Sequence, residues 1–266
     1  MRVEVLTDPL MGKRGARMLE AMIAAAPVPL KVRRTFVGDC DVLMTYGTGH
    51  PVRRPWWKKQ RANGGRCIGW DLGYWKLKAD GTYRMRVTVD DDHPHRLIRP
   101  EPPERWDAEG IALREDAGPG PIVLIGLTAK SNHAAGLPTL HWERKKLREI
   151  EKLYPGRAVV HRPKRPTDPL LRQVRIAEGG PIEPVLKGAS LVVCKHSNVA
   201  VDACIAGVPV VCEDGAARAL YGSDLSAPKV PTREERLAFL RGLAWWQWKP
   251  EEAKDAWTYL LQRLSA

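Results

Sequence analysis

The chain has no apolar run near the roughly 20 residues that a membrane-spanning helix needs, so no transmembrane segment is expected. Its opening, Met1-Arg2-Val3-Glu4-Val5-Leu6, enters a strand pattern directly without a signal-peptide layout, which makes cytoplasmic residence the expectation. It lacks any C-x-x-C pair: the five cysteines, Cys40, Cys67, Cys194, Cys204 and Cys212, are odd in number and scattered. A zinc site would want two close ligand pairs, so none is expected, and buried free thiols are the reading. Repeats at solenoid spacing and low-complexity tracts are absent too, which sets aside array and disordered classes.

What is present is the composition of a soluble globular protein: 266 residues, 44% hydrophobic and 28% charged. That length holds one large domain or two of about 120 residues each. The formal charge is +12, and it is uneven. Residues 1–86 carry 17 Lys/Arg against 7 Asp/Glu, a net +10, so the first half suggests a polyanionic partner.

Strand and helix signals alternate, which argues for parallel α/β layers. Val3–Leu6, Leu30–Arg34, Asp41–Tyr46 and Cys67–Asp71 read as strands, with helices over 16–26 and 55–62. A weakly periodic, acidic and proline-rich stretch, 87–120, ends in the breaker Gly118-Pro119-Gly120-Pro121. A second run follows. Its strands are Ile122–Ile125, Ala158–Arg162, Ser190–Cys194 and Val208–Cys212; its helices lie over 139–153, 199–206, 233–244 and 250–264. The organisation expected is an α/β domain over 1–117, a second over 118–248, and a helix over 249–266 that returns to the first.

The most informative stretch is Cys194-Lys195-His196-Ser197-Asn198-Val199 through Asp202 to Gly207-Val208-Pro209. A buried strand feeds a polar turn, a short helix, a Gly-x-Pro stop and another buried strand. The start of such a helix offers unpaired N–H groups and the positive end of the dipole, where phosphates bind. Ser197 and Asn198 can cap it or touch the ligand; Asp202, one turn on, can take ribose hydroxyls. Two further polar sets follow strand ends: Thr128, Lys130 and Ser131 after Ile122–Ile125, and Arg162 and Lys164 after Val159-Val160. Ligands of open parallel sheets bind at those ends. Glu213 and Asp214 follow the last strong strand, where Asp214 can equally cap the next short helix.

The turn His196-Ser197-Asn198, the acid at Asp202 and the exit Gly207-x-Pro209 resemble the donor-binding motif of two-domain GT-B glycosyltransferases, a close match over about twenty residues and a looser one over most of the chain. The resemblance implies two Rossmann-like α/β domains with a C-terminal helix crossing back. It also implies a nucleoside diphosphate sugar as donor, a uridine diphosphate sugar first, held by the second domain. Glu commonly stands where this chain has Asp202. The position of Glu213 and Asp214 often touches sugar hydroxyls in that family. The base that deprotonates the acceptor hydroxyl comes from the first domain, with Asp71 the first choice, Asp8 the second and His50 the third.

Lys13, Arg14, Arg53, Arg54, Lys58, Lys59 and Arg61 interleave with Trp56, Trp57, Trp70 and Trp75, a mixture suited to nucleic acid. A basic acceptor domain points to DNA, and the chain is similar in this to virus-encoded glucosyltransferases that decorate hydroxymethylated bases; a host's cytoplasm would then be its place. The rivals are transfer to a cell-envelope glycan, a nucleotide- or DNA-binding module without turnover, and a sugar-nucleotide epimerase. The run Asp90-Asp91-Asp92 reads as solvated, and metal dependence and oligomeric state stay open.

Overall fold

The computed structural model describes residues 1–7, 12–47, 52–75, 84–134, 136–177 and 179–264, and only the backbone of Arg14, Lys130 and Ala134. The chain divides into two compact units, Met1–Pro94 with Trp245–Ala266, and His95–Ala244.

In the first unit, β1 (Val3–Leu6), α1 (Lys13–Ala24), β2 (Leu30–Arg33), β3 (Val42–Tyr46), α2 (Arg53–Ala62) and β4 (Arg66–Leu72) alternate, and β5 (Met85–Val89) follows. All four side chains of β1, and Val42 to Thr45 of β3, are buried, as in a sheet covered on both faces. The polar exception on β1, Glu4, is fully buried and lies 3.0 Å from the Arg33 guanidinium. Helix α2 opens at Arg53, so Pro55 falls in its first turn, where a missing N–H costs nothing. Strand β5 lies partly in the weakly periodic stretch 87–120. Four of its five side chains are buried, which erases the alternation that marks a half-exposed strand. It runs antiparallel to β4, Met85 opposite Leu72 and Val89 opposite Ile68.

The second unit contains α3 (Glu104–Asp107), β6 (Ile122–Ile125), α4 (Ala129–Ala134), α5 (His141–Leu153), β7 (Val159–Arg162), β8 (Arg175–Ile176), α6 (Glu183–Leu186), β9 (Leu191–Cys194), α7 (Val199–Ala206), β10 (Val210–Cys212), α8 (Arg218–Tyr221) and α9 (Arg233–Ala244). Its sheet is parallel throughout, in the order β10-β9-β6-β7-β8. Leu124, Val193 and Val211 meet Trp142, Leu147 and Ile150 of α5 in one core.

The chain then returns to the first unit as β11 (Gln247–Trp248) and α10 (Ala253–Leu264). The first sheet has the order β11-β5-β4-β3-β1-β2. Trp257 donates its indole N–H to the Met22 carbonyl at 2.7 Å, which fastens α10 to α1. The Trp246 and Trp248 rings lie 5.4 and 5.7 Å from Tyr259, so this tryptophan cluster is a packed aromatic core.

The breaker Gly118–Pro121 lies within the second unit. The segment before it is stitched to α7: Arg114 N–H reaches the Ile205 carbonyl at 2.8 Å and Asp116 N–H that of Ala206 at 2.7 Å. A side chain at Gly120 would stand 2.4 Å from the Gly188 carbonyl, so these glycines mark a close backbone approach. This placement redistributes the charge. The first unit holds 20 basic against 13 acidic residues, +7, and the second 23 against 18, +5, because Asp90, Asp91 and Asp92 fall in the first. All five cysteines are free; four are buried and Cys40 is half-buried.

Candidate functional site

Strand β6 is the switch point of the second sheet: the chain leaves it for β7 on one side, and β9 takes the other. The loops after β6 and β9 therefore lead to opposite sides of the sheet's carboxyl edge, the place where ligands of such sheets bind. Three side chains bridge the two loops. Thr128 Oγ1 lies 2.9 Å from Ser131 Oγ, which lies 3.2 Å from His196 Nε2. Thr128 also accepts the Ser131 N–H at 3.1 Å and so caps α4. The structure thus joins Thr128, Ser131 and His196 into one hydrogen-bonded chain beside the start of α7.

Helix α7 is short and almost entirely apolar, with Ala200, Val201 and Ala203 to Ala206 buried. It ends in a Schellman stop: Val208 N–H bonds the Ala203 carbonyl at 2.9 Å and Gly207 N–H that of Cys204 at 3.2 Å, with Gly207 at φ 78°. At the other end, the buried Ser197 accepts the Val199 N–H at 3.3 Å. Asn198 and Asp202 are half-buried in its first turn.

Other expected donor contacts sit differently. Arg162 gives its guanidinium to the carbonyls of Ala177, at 3.1 Å, and Gly180, at 2.6 Å, and so clamps the loop beyond β8. Lys164 is exposed. Glu213 takes the Trp142 indole N–H at 3.0 Å, Lys146 at 2.9 Å and Lys195 at 3.2 Å. Burial pushes the Glu213 carboxyl up, but the Lys146 and Trp142 hydrogen bonds and the two lysine charges outweigh it. Glu213 therefore sits below the usual Glu value and stays ionised. Asp214 is half-buried, with its N–H on the Lys195 carbonyl at 2.7 Å. The Lys130 side chain lies outside the described residues. Lys195 and Lys146 were not singled out from the sequence; the only signal for Lys195 is its place next to the His196 turn.

His161 is another such residue. It is fully buried on β7, and its Nδ1 accepts the Leu171 N–H at 3.1 Å, which puts the imidazole proton on Nε2. Nε2 faces Gly126, where a Cβ would stand 2.6 Å away, so the glycine makes room for the ring. Burial pushes the His161 pKa down to about 4. A depressed pKa makes the unfolded chain take the proton first. Stability is then full above about pH 6.5 and falls as the pH drops toward the folded value, by about 3 kcal/mol in all. His161→Gln is expected to flatten the stability–pH curve over that window in urea unfolding. Parallel curves for the variant and the parent protein would contradict this.

In the first unit, Asp71, the second-last residue of β4, is one third exposed, with Arg86 Nη2 at 3.2 Å from Oδ2 and the Leu72 N–H at 2.7 Å from Oδ1. The Arg86 guanidinium lies 5.5 Å over the Tyr74 ring, and the Tyr74 hydroxyl lies 2.9 Å from His93 Nδ1. Asp8 and His50 lie outside the described residues. Several expected nucleic-acid contacts are occupied. Arg53 is buried, which removes it as a phosphate contact: it fills space beside Gly47. Arg54 faces Asp92 at 3.8 Å, and Arg61 pairs with Asp90. Lys13, Lys58 and Lys59 are exposed, and the Arg14 side chain lies outside the described residues. No group of three or more His, Cys, Asp or Glu able to hold a metal ion occurs among the described residues, and no helix among them is long and apolar enough to cross a membrane.

No family model and no curated protein sequence matches the chain. Solved structures do resemble it. One is the beta Kdo 2,7 transferase of Thermosulfurimonas dismutans KpsC: TM-score 0.57, 14% identity, 98% of this chain and 99% of that one covered. Another is the beta Kdo 2,4 transferase of the same protein, with TM-score 0.57, 14% identity and 98% of each chain covered. The spinosyn rhamnosyltransferase SpnG, solved with thymidine diphosphate, covers 99% of this chain with 73% of its own at 17% identity, but its TM-score is 0.33. The two KpsC structures carry the comparison, and they show the fold: α/β with two Rossmann-like units and a C-terminal helix that joins the first, the plan of GT-B enzymes.

Proposed function

We propose that the protein is a glycosyltransferase that moves a sugar from a nucleoside diphosphate sugar to a hydroxyl. The observation that carries this reading is the Thr128–Ser131–His196 chain, set across the switch point of a parallel sheet beside the start of α7. Hydroxyl and imidazole groups meet there beside the positive end of a helix dipole, the chemistry that stabilises a departing diphosphate. A fold shared with Kdo transferases supports it. Asp202 takes the ribose, and Asp71 is the acceptor base.

A glycan hydroxyl is the acceptor we favour. The DNA-base reading drew on a lopsided charge, and the two units at +7 and +5 are nearly even. The test is thermal unfolding with nucleoside diphosphates and their sugars. A ligand at 100 times its dissociation constant adds about 2.7 kcal/mol, a rise of roughly 5–10 °C for a chain of this size. Ser131→Ala with His196→Ala should abolish the rise. A transition that no nucleotide moves would end the reading.

A further inference from the structure

On the first unit, a cavity of about 350 Å³ opens between α2 and the turn after β5. Arg54, Trp57, Lys58 and Arg61, spaced as one face of α2, line one side, and Asp90, Asp91 and Asp92 the other. The acid turn is held firmly. Asp90 stands in the left-handed region at φ 61°, and its carboxylate takes Arg61, the Arg66 guanidinium at 2.5 Å and the Cys67 N–H at 2.7 Å.

The opposite end is built otherwise. Arg54 and Asp92 are 3.8 Å apart, beyond direct hydrogen bonding, and both are more than one third exposed. Lys58 is exposed and in no ion pair among the described residues. The floor is Trp57, whose indole N–H is fixed on the Thr45 hydroxyl at 2.9 Å.

Three cations face three carboxylates, so the lining has no net charge to offer a polyanion, and the acid triplet repels phosphates. Nor does it offer a cation a site, because Asp90 and Asp92 already face guanidinium groups. What fits is a ligand whose groups both donate and accept. A hydroxyl placed between Arg54 and Asp92 accepts from the guanidinium and donates to the carboxylate, and a neighbouring hydroxyl accepts from Lys58. Vicinal hydroxyls over an aromatic floor describe a pyranose ring.

We propose that this groove binds one sugar unit of a neutral carbohydrate chain. It rests on the transfer reading only in taking that chain as the acceptor. The test is wild-type protein on an array of neutral glycans, with sulfated glycans and duplex DNA as comparison, beside Lys58→Ala and Asp92→Asn. Binding to a neutral glycan, weakened at least tenfold in each variant and little changed by salt, is the expected result. The proposal is overturned by no neutral glycan bound, by binding that both substitutions leave intact, or by preference for DNA or sulfated chains. Nucleotide-induced thermal shifts on the same samples keep the two readings apart. Glycan binding without a nucleotide shift sinks the transferase and spares the groove; the reverse sinks the groove alone.

Discussion

Asp71→Asn is expected to lower turnover by about two to four orders of magnitude, the range a positioned general base supplies, while nucleotide-sugar stabilisation persists. Asn keeps the shape of the side chain and the oxygen that accepts the Leu72 N–H, so the end of β4 holds. What disappears is the charge beside Arg86. Burial alone would push the Arg86 pKa down; the Asp71 carboxylate, with Tyr74 and Asp92 behind it, more than restores it. That pairing also supports a purely structural role, and the kinetics separate the two. If Asp71 only anchors Arg86, the Asn variant melts earlier but turns over at nearly the parental rate. If Asp71 is the base, the rate collapses while the melting temperature stays near the parental one. Asp71→Glu should recover part of the rate in the second case. Turnover in Asp71→Asn within a few-fold of the parent would remove it from the chemistry.

The α/β class was legible because the inner strands are apolar runs, unbroken in Ile122–Ile125 and Leu191–Cys194 and interrupted only by Glu4 in Val3–Leu6 and Thr45 in Val42–Tyr46. Helix α7 was legible from its stop, where Gly207 needs a positive φ. The antiparallel margin was not. Strand β5 buries both faces within a polar-looking sequence, and its partner β11 is two residues long, too short for any period to show. The second unit's lower edge was misleading for a related reason. Glycine and proline serve both linkers and close backbone contacts, and only the contact of Gly120 with Gly188 tells which applies. At the site, Thr128, Ser131 and His196 could be named from their places after strands. Arg162 could be named but not aimed: its guanidinium is taken up by the Ala177 and Gly180 carbonyls, acceptors set by a distant loop that no local pattern encodes. Glu213 is similar, because its partners Trp142 and Lys146 lie on a helix some seventy residues earlier.

Arg236→Met is expected to cost about 3 kcal/mol and to lower the melting temperature by roughly 10 °C, because it takes the guanidinium donor from the Arg114 carbonyl, one of two donors from the Cys204 carbonyl, and the partner of Glu115. Arg236 is 3% exposed on α9, an unusual place for a guanidinium. Its Nη1 donates to the Cys204 carbonyl at 3.0 Å and the Arg114 carbonyl at 3.1 Å, and its Nη2 pairs with Glu115. With the Arg114 and Asp116 N–H groups on the Ile205 and Ala206 carbonyls, it closes the carboxyl end of α7. A cation there also opposes the negative end of the helix dipole. Methionine matches the length and fills the space, so the loss reports the hydrogen bonds rather than a cavity. Arg236→Lys keeps the charge but cannot fork across two carbonyls and an acid, so it should fall between the two. The effect reaches the proposed donor site, because α7 is the helix that starts beside the Thr128–Ser131–His196 chain. Nucleotide stabilisation should weaken in Arg236→Met even at a temperature where the variant is fully folded. Unchanged unfolding of Arg236→Met in urea would mean that the Arg114 carbonyl finds another donor, that the Gly207 N–H suffices for Cys204, and that the far end of α7 stands without this arginine.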